Sequence, residues 1–114
     1  MNFQKVLESA ILNDGISYSI NSGTCNPNSG YMVSKFGCET ISQSITLDII
    51  LAYVKHNLDE LADDEAYLGI WLKDGQWYLD VSVNIYHLDY AVKFARENKQ
   101  LAIWDCANCQ EIIL

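Results

Sequence analysis

Cys106-Ala107-Asn108-Cys109 is the stretch whose residue types and spacing come nearest to chemistry. A redox pair of this form works when a helix N-terminus lowers the thiol pKa. Here the pair follows the strand-like run "QLAIWD", and only five residues come after it, too few for a helix. A zinc site needs four ligands, and one such pair supplies two. Cys25 and Cys38 are the other thiols, but the twelve residues between them do not form a second metal knuckle. The stretch reads as a hairpin turn with Ala107-Asn108 at its tip. Cys106 then faces Cys109, Ile103 faces Ile112 and Leu101 faces Leu114, which gathers aliphatic residues on one face. Asn108 tolerates the positive φ that such a tip requires. No metal and no cofactor are expected.

Other chemical groups are sparse. His56 and His87 are the two histidines, and His87 stands just before a helical run, where capping explains it better than proton transfer. Ser82, His87 and Asp89 carry the letters of a triad, but nothing around Ser82 resembles a nucleophile elbow. The polar loop "NSGTCNPNSG" (21–30) has glycines and amides without the lysine of a phosphate cradle. An enzyme, if one were present, would use Cys25 in that loop with His87 as its base. The primary expectation is a protein without enzymatic activity.

Charge is the stronger signal. The formal net charge is −8, and residues 57–80 hold seven acids (Asp59, Glu60, Asp63, Asp64, Glu65, Asp74, Asp80) against Lys73 alone. Phosphate contacts need Lys and Arg, so direct nucleic-acid binding is not expected. The five acids between 59 and 65 read most simply as a solvated helix end. The sharper reading is that they imitate a row of phosphates and draw in a basic groove through their field.

The elements that position these groups follow from periodicity. With 114 residues, half of them hydrophobic, the chain suits one domain with a core of its own. Phe3, Val6, Leu7, Ala10 and Ile11 predict a first helix over 2–13, stopped at Asp14-Gly15. Short strands are predicted at Ile16–Ile20, at "YMVSKF" and at "CETI". A second helix over 45–61, capped by Ser44, would bury Leu47, Ile50, Leu51, Val54, Leu58 and Leu61. In "YLGIWLKDGQWYLDVSV" Asp74-Gly75 marks a two-residue hairpin tip. Leu72, Ile70 and Leu68 then face Trp77, Leu79 and Val81, while Trp71, Gly69 and Tyr67 face Tyr78, Asp80 and Ser82. The first set is core. The second, aromatic and acidic together, is the candidate surface. A helix over 88–98, with Leu88, Ala91, Val92 and Ala95 inward, and two last strands complete an α+β fold: an antiparallel or mixed sheet with about three helices. The longest apolar run, "ITLDIILAYV", is too short and too polar to span a membrane, and the first residues lack a signal-peptide pattern, so a cytoplasmic protein with reduced thiols is expected.

At "SGYMVS", "YLGIWLKDGQWYLDVSVNI", "AVKFARENKQLAIWD" and the closing "EI" the chain resembles a set of small proteins encoded on phages, plasmids and conjugative elements of bacteria. The likeness runs over most of residues 15–112, and its motifs mark hairpin, helix and strand rather than a catalytic centre. The "CANC" stretch departs from it, standing where a glycine turn is the pattern. The resemblance implies a setting, an accessory gene of a mobile element. In that setting small acidic proteins act against host defence nucleases, on unrelated folds, so the link is one of context. The expected function is inhibition of a bacterial defence nuclease, a Cas effector or a restriction enzyme, in the anti-CRISPR manner. The expected contact residues are Asp59, Glu60, Asp63, Asp64, Glu65, Tyr67, Trp71, Asp74, Tyr78 and Asp80. The alternatives are a small enzyme or ligand-binding domain using the 21–30 loop, and a homodimer joined through the aromatic face.

Overall fold

The computed structural model describes residues 2–114 and has the α+β architecture expected of the sequence. Asn2 starts α1 (Phe3–Asn13) by accepting the Lys5 amide at 2.9 Å, and Asp14 ends it in the left-handed conformation at φ 59°. The chain then runs β1 (Gly15–Tyr18), β2 (Tyr31–Ser34), β3 (Thr40–Ser42), α2 (Leu47–His56), α3 (Leu58–Leu61), β4 (Ala66–Lys73), β5 (Gln76–Ile85), α4 (Leu88–Glu97), β6 (Ala102–Asp105) and β7 (Gln110–Ile113). No described helix is long and apolar enough to cross a membrane.

Every strand pair is antiparallel, in the order β1-β4-β5-β2-β6-β7. The ten-residue β5 shares one edge between two short strands, β2 against Ser82–Ile85 and β3 against Trp77–Leu79. The β4–β5 hairpin has the expected register, with Trp71 opposite Tyr78, Gly69 opposite Asp80 and Tyr67 opposite Ser82. Asp74 and Gly75 at its tip both have positive φ, 52° and 77°, as a turn matched to strand twist requires.

Strand alternation separates two faces. On one, Ile16, Tyr18, Leu68, Ile70, Leu79 and Val81 pack with Val6 and Ala10 of α1, Ile50, Tyr53 and Val54 of α2 and Leu61 of α3. Val33 and Ile103 continue the same face beneath Ala91 and Ala95 of α4. A fully buried Ile, Leu or Val contributes roughly 1.5–3 kcal/mol, so this single apolar layer is the main source of stability. All four helices among the described residues cover that face. The other carries none.

Several local expectations are corrected. The helix read over 45–61 is two helices broken at Asn57, and Thr46, not Ser44, caps it by accepting the Ile49 amide at 3.2 Å. Leu51 and Leu58 point outward, 43% and 50% exposed: on α2 Tyr53 takes the inward position and donates its hydroxyl to the Cys38 carbonyl, and the break at Asn57 takes Leu58 off the stripe. Leu88 also lies outward, leaving the two alanines of α4 to approach the sheet. The β6–β7 register is as read, Ile103 opposite Ile112, but the turn has four residues. Its left-handed residue is Cys109 (φ 50°) rather than Asn108, because the Asp105 carboxylate draws in the amides of Ala107 (3.2 Å) and Asn108 (3.3 Å).

Candidate functional site on the helix-free sheet face

The face without helices is built from the alternate residues of five strands: Ser17 of β1, Gly69 and Trp71 of β4, Tyr78, Asp80 and Ser82 of β5, Met32 and Ser34 of β2, and Trp104 of β6. All of these but Gly69 and Tyr78 line a cleft of about 660 Å³, whose lining also includes Glu39, Lys73, Lys99 and Glu111. Trp71 and Trp104 are 38% and 39% exposed, while Ser17, Asp80 and Ser82 on the floor are buried.

Two glycines make the floor possible. A Cβ on Gly69 would collide with Oδ1 of Asp80 and meet Nε1 of Trp71 at 2.9 Å. A Cβ on Gly15 would meet the other edge of the same indole, with Cζ3 at 2.8 Å. Trp71 therefore lies across neighbouring strands, its benzo edge over Gly15 and its Nε1 edge beside the Asp80 carboxylate. Glycine inside a strand weakens it, and its use here serves close approach.

Asp80 is the residue that the core cannot account for. It is 8% exposed, and its carboxylate accepts from Ser34 Oγ at 2.8 Å and Ser82 Oγ at 3.3 Å. The two hydroxyls lie 3.3 Å apart. Burial pushes the Asp80 carboxyl above its ordinary range, the two serines oppose that shift, and the charge of Glu39 adds to it. The one ion pair among the described residues joins Lys35 to Glu60 at 2.7 Å and leaves Asp80 without a cation. A buried carboxylate held by neutral hydroxyls is a destabilising choice unless something else completes it.

The residues expected from the sequence divide into two groups. Tyr67, Trp71, Tyr78 and Asp80 share the helix-free face. Asp59 and Glu60 lie on α3, and Asp63, Asp64 and Glu65 on the turn leading into β4, all exposed at one end of the hairpin. Asp74 is at the opposite tip, about 25 Å away along an eight-residue strand. Three of the five clustered acids already have partners. Glu60 pairs with Lys35, Asp63 accepts the Glu65 amide at 3.0 Å and Asp64 accepts from Asn21. Asp80, read from the sequence as a surface acid, is instead the buried floor of the cleft. Ser17, Met32, Ser34 and Trp104 were not among the residues expected from the sequence, and Ser82 was placed on the candidate face without being expected as a contact. Ser82 had a signal, its alternation with Asp80, whereas the others needed the long-range pairing of β1, β2 and β6.

The cysteines and histidines lie elsewhere. Cys25 and Cys38 pack against the larger core, and burial raises both thiols. Cys106 and Cys109 belong to the β6–β7 turn at the other side of the sheet, where the Cys109 thiol donates to the Cys106 carbonyl at 3.6 Å. Among the described residues no group of three or more His, Cys, Asp and Glu is placed to hold a metal ion. His87 occupies the N-cap position of α4 without a capping hydrogen bond and stacks edge-on against Tyr90. Cys25 sits beside β1, so the two do not form a nucleophile–base pair.

No protein-family model matches the chain, and neither a curated protein nor a solved structure matches it.

Proposed function

We propose that the chain is a non-enzymatic binding protein that engages a basic surface of a protein partner through its helix-free face. In the setting implied by the likeness to mobile-element proteins, that partner is a bacterial defence nuclease, and the protein acts as an anti-CRISPR-like inhibitor. One observation carries the reading: a helix-free sheet face bears exposed aromatic side chains around a buried carboxylate that no cation balances. A merely solvated face has no need of glycines that seat an indole beside a buried acid. The acidic end at 59–65 adds a field that speeds encounter with a basic groove, screened beyond about 10 Å at 0.1 M salt.

The two parts of the surface have separable kinetics. Reversing Asp63, Asp64 and Glu65 to lysine slows association and flattens its salt dependence. Trp71→Ala speeds dissociation, since truncating a buried aromatic anchor typically costs about 2 kcal/mol or more. The assay is inhibition of target cleavage by the host's CRISPR and restriction nucleases, with both variants beside the wild type. Absence of inhibition by the wild type, or equal inhibition by the lysine variant, defeats the reading.

A second reading has its own support. The cleft volume of about 660 Å³ falls in the range of small-molecule sites. On that reading Trp71→Ala abolishes binding of a small ligand and leaves nuclease activity untouched.

A further inference from the structure

Asp80 is more than nine-tenths hidden, lines the cleft, and uses only two hydroxyl donors, Ser34 Oγ at 2.8 Å and Ser82 Oγ at 3.3 Å. A carboxylate has about four acceptor positions, so acceptor capacity is left on the cleft side. Anions are excluded from such a floor by repulsion. Neutral hydroxyl ligands would leave the charge uncompensated. The missing group is a cation that can also lie against an aromatic surface, because the Trp71 indole has its Nε1 edge beside the carboxylate and is exposed to the cleft. Ammonium and guanidinium differ here. Guanidinium is planar, less strongly hydrated, stacks on indole and donates in a fork to a carboxylate. The two lysines that line the cleft do not fill this role: Lys99 Nζ rests over the Phe36 ring at 4.7 Å, and neither lysine forms an ion pair. Acids outnumber bases in the lining by Asp80, Glu39 and Glu111 to Lys73 and Lys99.

We infer that the cleft receives an arginine side chain of the protein partner, its guanidinium on the Asp80 carboxylate and its plane against Trp71. The inference rests on the reading of the helix-free face as the partner-binding surface. It names which partner residue that face selects. The acidic 59–65 segment brings a basic surface near, and the cleft then picks one arginine from it. Gly69 and Gly15 are the positioning residues, since a Cβ on Gly69 would strike both the carboxylate and the indole, and one on Gly15 the far edge of that indole.

The test is a titration of the ¹⁵N-labelled full chain with N-acetyl-Gly-Arg-Gly-amide, with its citrulline counterpart and with agmatine, following the Trp71 indole N–H. The arginine peptide is expected to shift that signal saturably, and the citrulline peptide, equal in shape but uncharged, to leave it in place. Asp80→Asn keeps the side-chain shape and should weaken the arginine peptide at least tenfold. Trp104→Leu, on the far wall, should weaken it less. Equal binding of the citrulline peptide, unchanged affinity in Asp80→Asn, or an unmoved Trp71 signal would overturn the inference. Agmatine binding more than tenfold tighter than the peptide would overturn it too, by making a free small cation the ligand. The cleavage assay separates this result from the wider reading. Inhibition that depends on Trp71 while the arginine peptide leaves the cleft untouched removes only the arginine. Saturable peptide binding without inhibition of any host nuclease removes only the defence-nuclease partner.

Discussion

Asp80 and Asp105 are both little-exposed carboxylates on strands of the same sheet, and their surroundings are opposite. Asp105 accepts two backbone amides and the Asn108 side-chain amide at 2.8 Å, which together hold its carboxyl below the usual range. It fastens the four-residue turn that ends β6, and its charge is matched by the donors it organises. Asp80 accepts only two hydroxyls, organises no turn, and burial holds its carboxyl above the usual range. A carboxylate that serves the fold collects donors until its charged form is favoured. One that is left short of donors, in a cleft, is suited to a partner that brings them.

The contrast can be broken most forcefully at Gly69. Gly69→Val puts a side chain where the Asp80 carboxylate and the Trp71 indole lie. The expected loss is about 1–3 kcal/mol of stability in chemical denaturation, as for other overpacked sites, with loss of the cleft. A variant as stable as wild type, with its Trp71 indole signal unmoved, would show that the close packing is not required. A smaller effect is expected at the other carboxylate. Asp105→Asn should lower the melting temperature at neutral pH, because the turn amides lose a charged acceptor. Its folded pKa is depressed, so its stabilisation is present above the ordinary carboxylate range and lost as pH falls through the folded pKa; the gap to wild type closes in acid. A gap that widens in acid would contradict the assignment. The smallest effects are expected at the cysteines of that turn. Cys109→Ser should be within about 0.5 kcal/mol of wild type, and Cys106→Ser, whose thiol is buried, should cost about 1 kcal/mol. One zinc per chain by elemental analysis, or unfolding by chelator, would replace the turn reading with a metal site.

What the sequence made legible was local. Asp74-Gly75 set the hairpin register because a two-residue turn admits one pairing that keeps the apolar set together, and β4 and β5 follow it residue for residue. The β6–β7 register followed in the same way, while the Asp105 grip on the turn was hidden, since a carboxylate before a turn reads like any strand-end acid. Longer-range facts were illegible. Alternation put Asp80 on the second face and could not say that β2 would bring Ser34 to it, 46 residues away in sequence. Nor could it say that every helix would choose the other face. The stripe read through Leu51 failed for a related reason: Tyr53 is amphipathic, and its hydroxyl finds the Cys38 carbonyl only when that loop is in place.

The measurement that tests the account most directly is the unfolding free energy of Asp80→Asn beside wild type, at neutral pH and at a pH below the ordinary carboxylate range. The folded pKa of Asp80 is raised, so the fold is favoured while the group is protonated, and that advantage is lost as pH rises through the folded pKa. The account predicts that Asp80→Asn is more stable than wild type at neutral pH, by about 1 kcal/mol or more, that the gain shrinks toward zero in acid, and that the arginine peptide binds at least tenfold more weakly. A variant less stable than wild type at neutral pH would contradict it, making Asp80 a structural carboxylate of the same kind as Asp105.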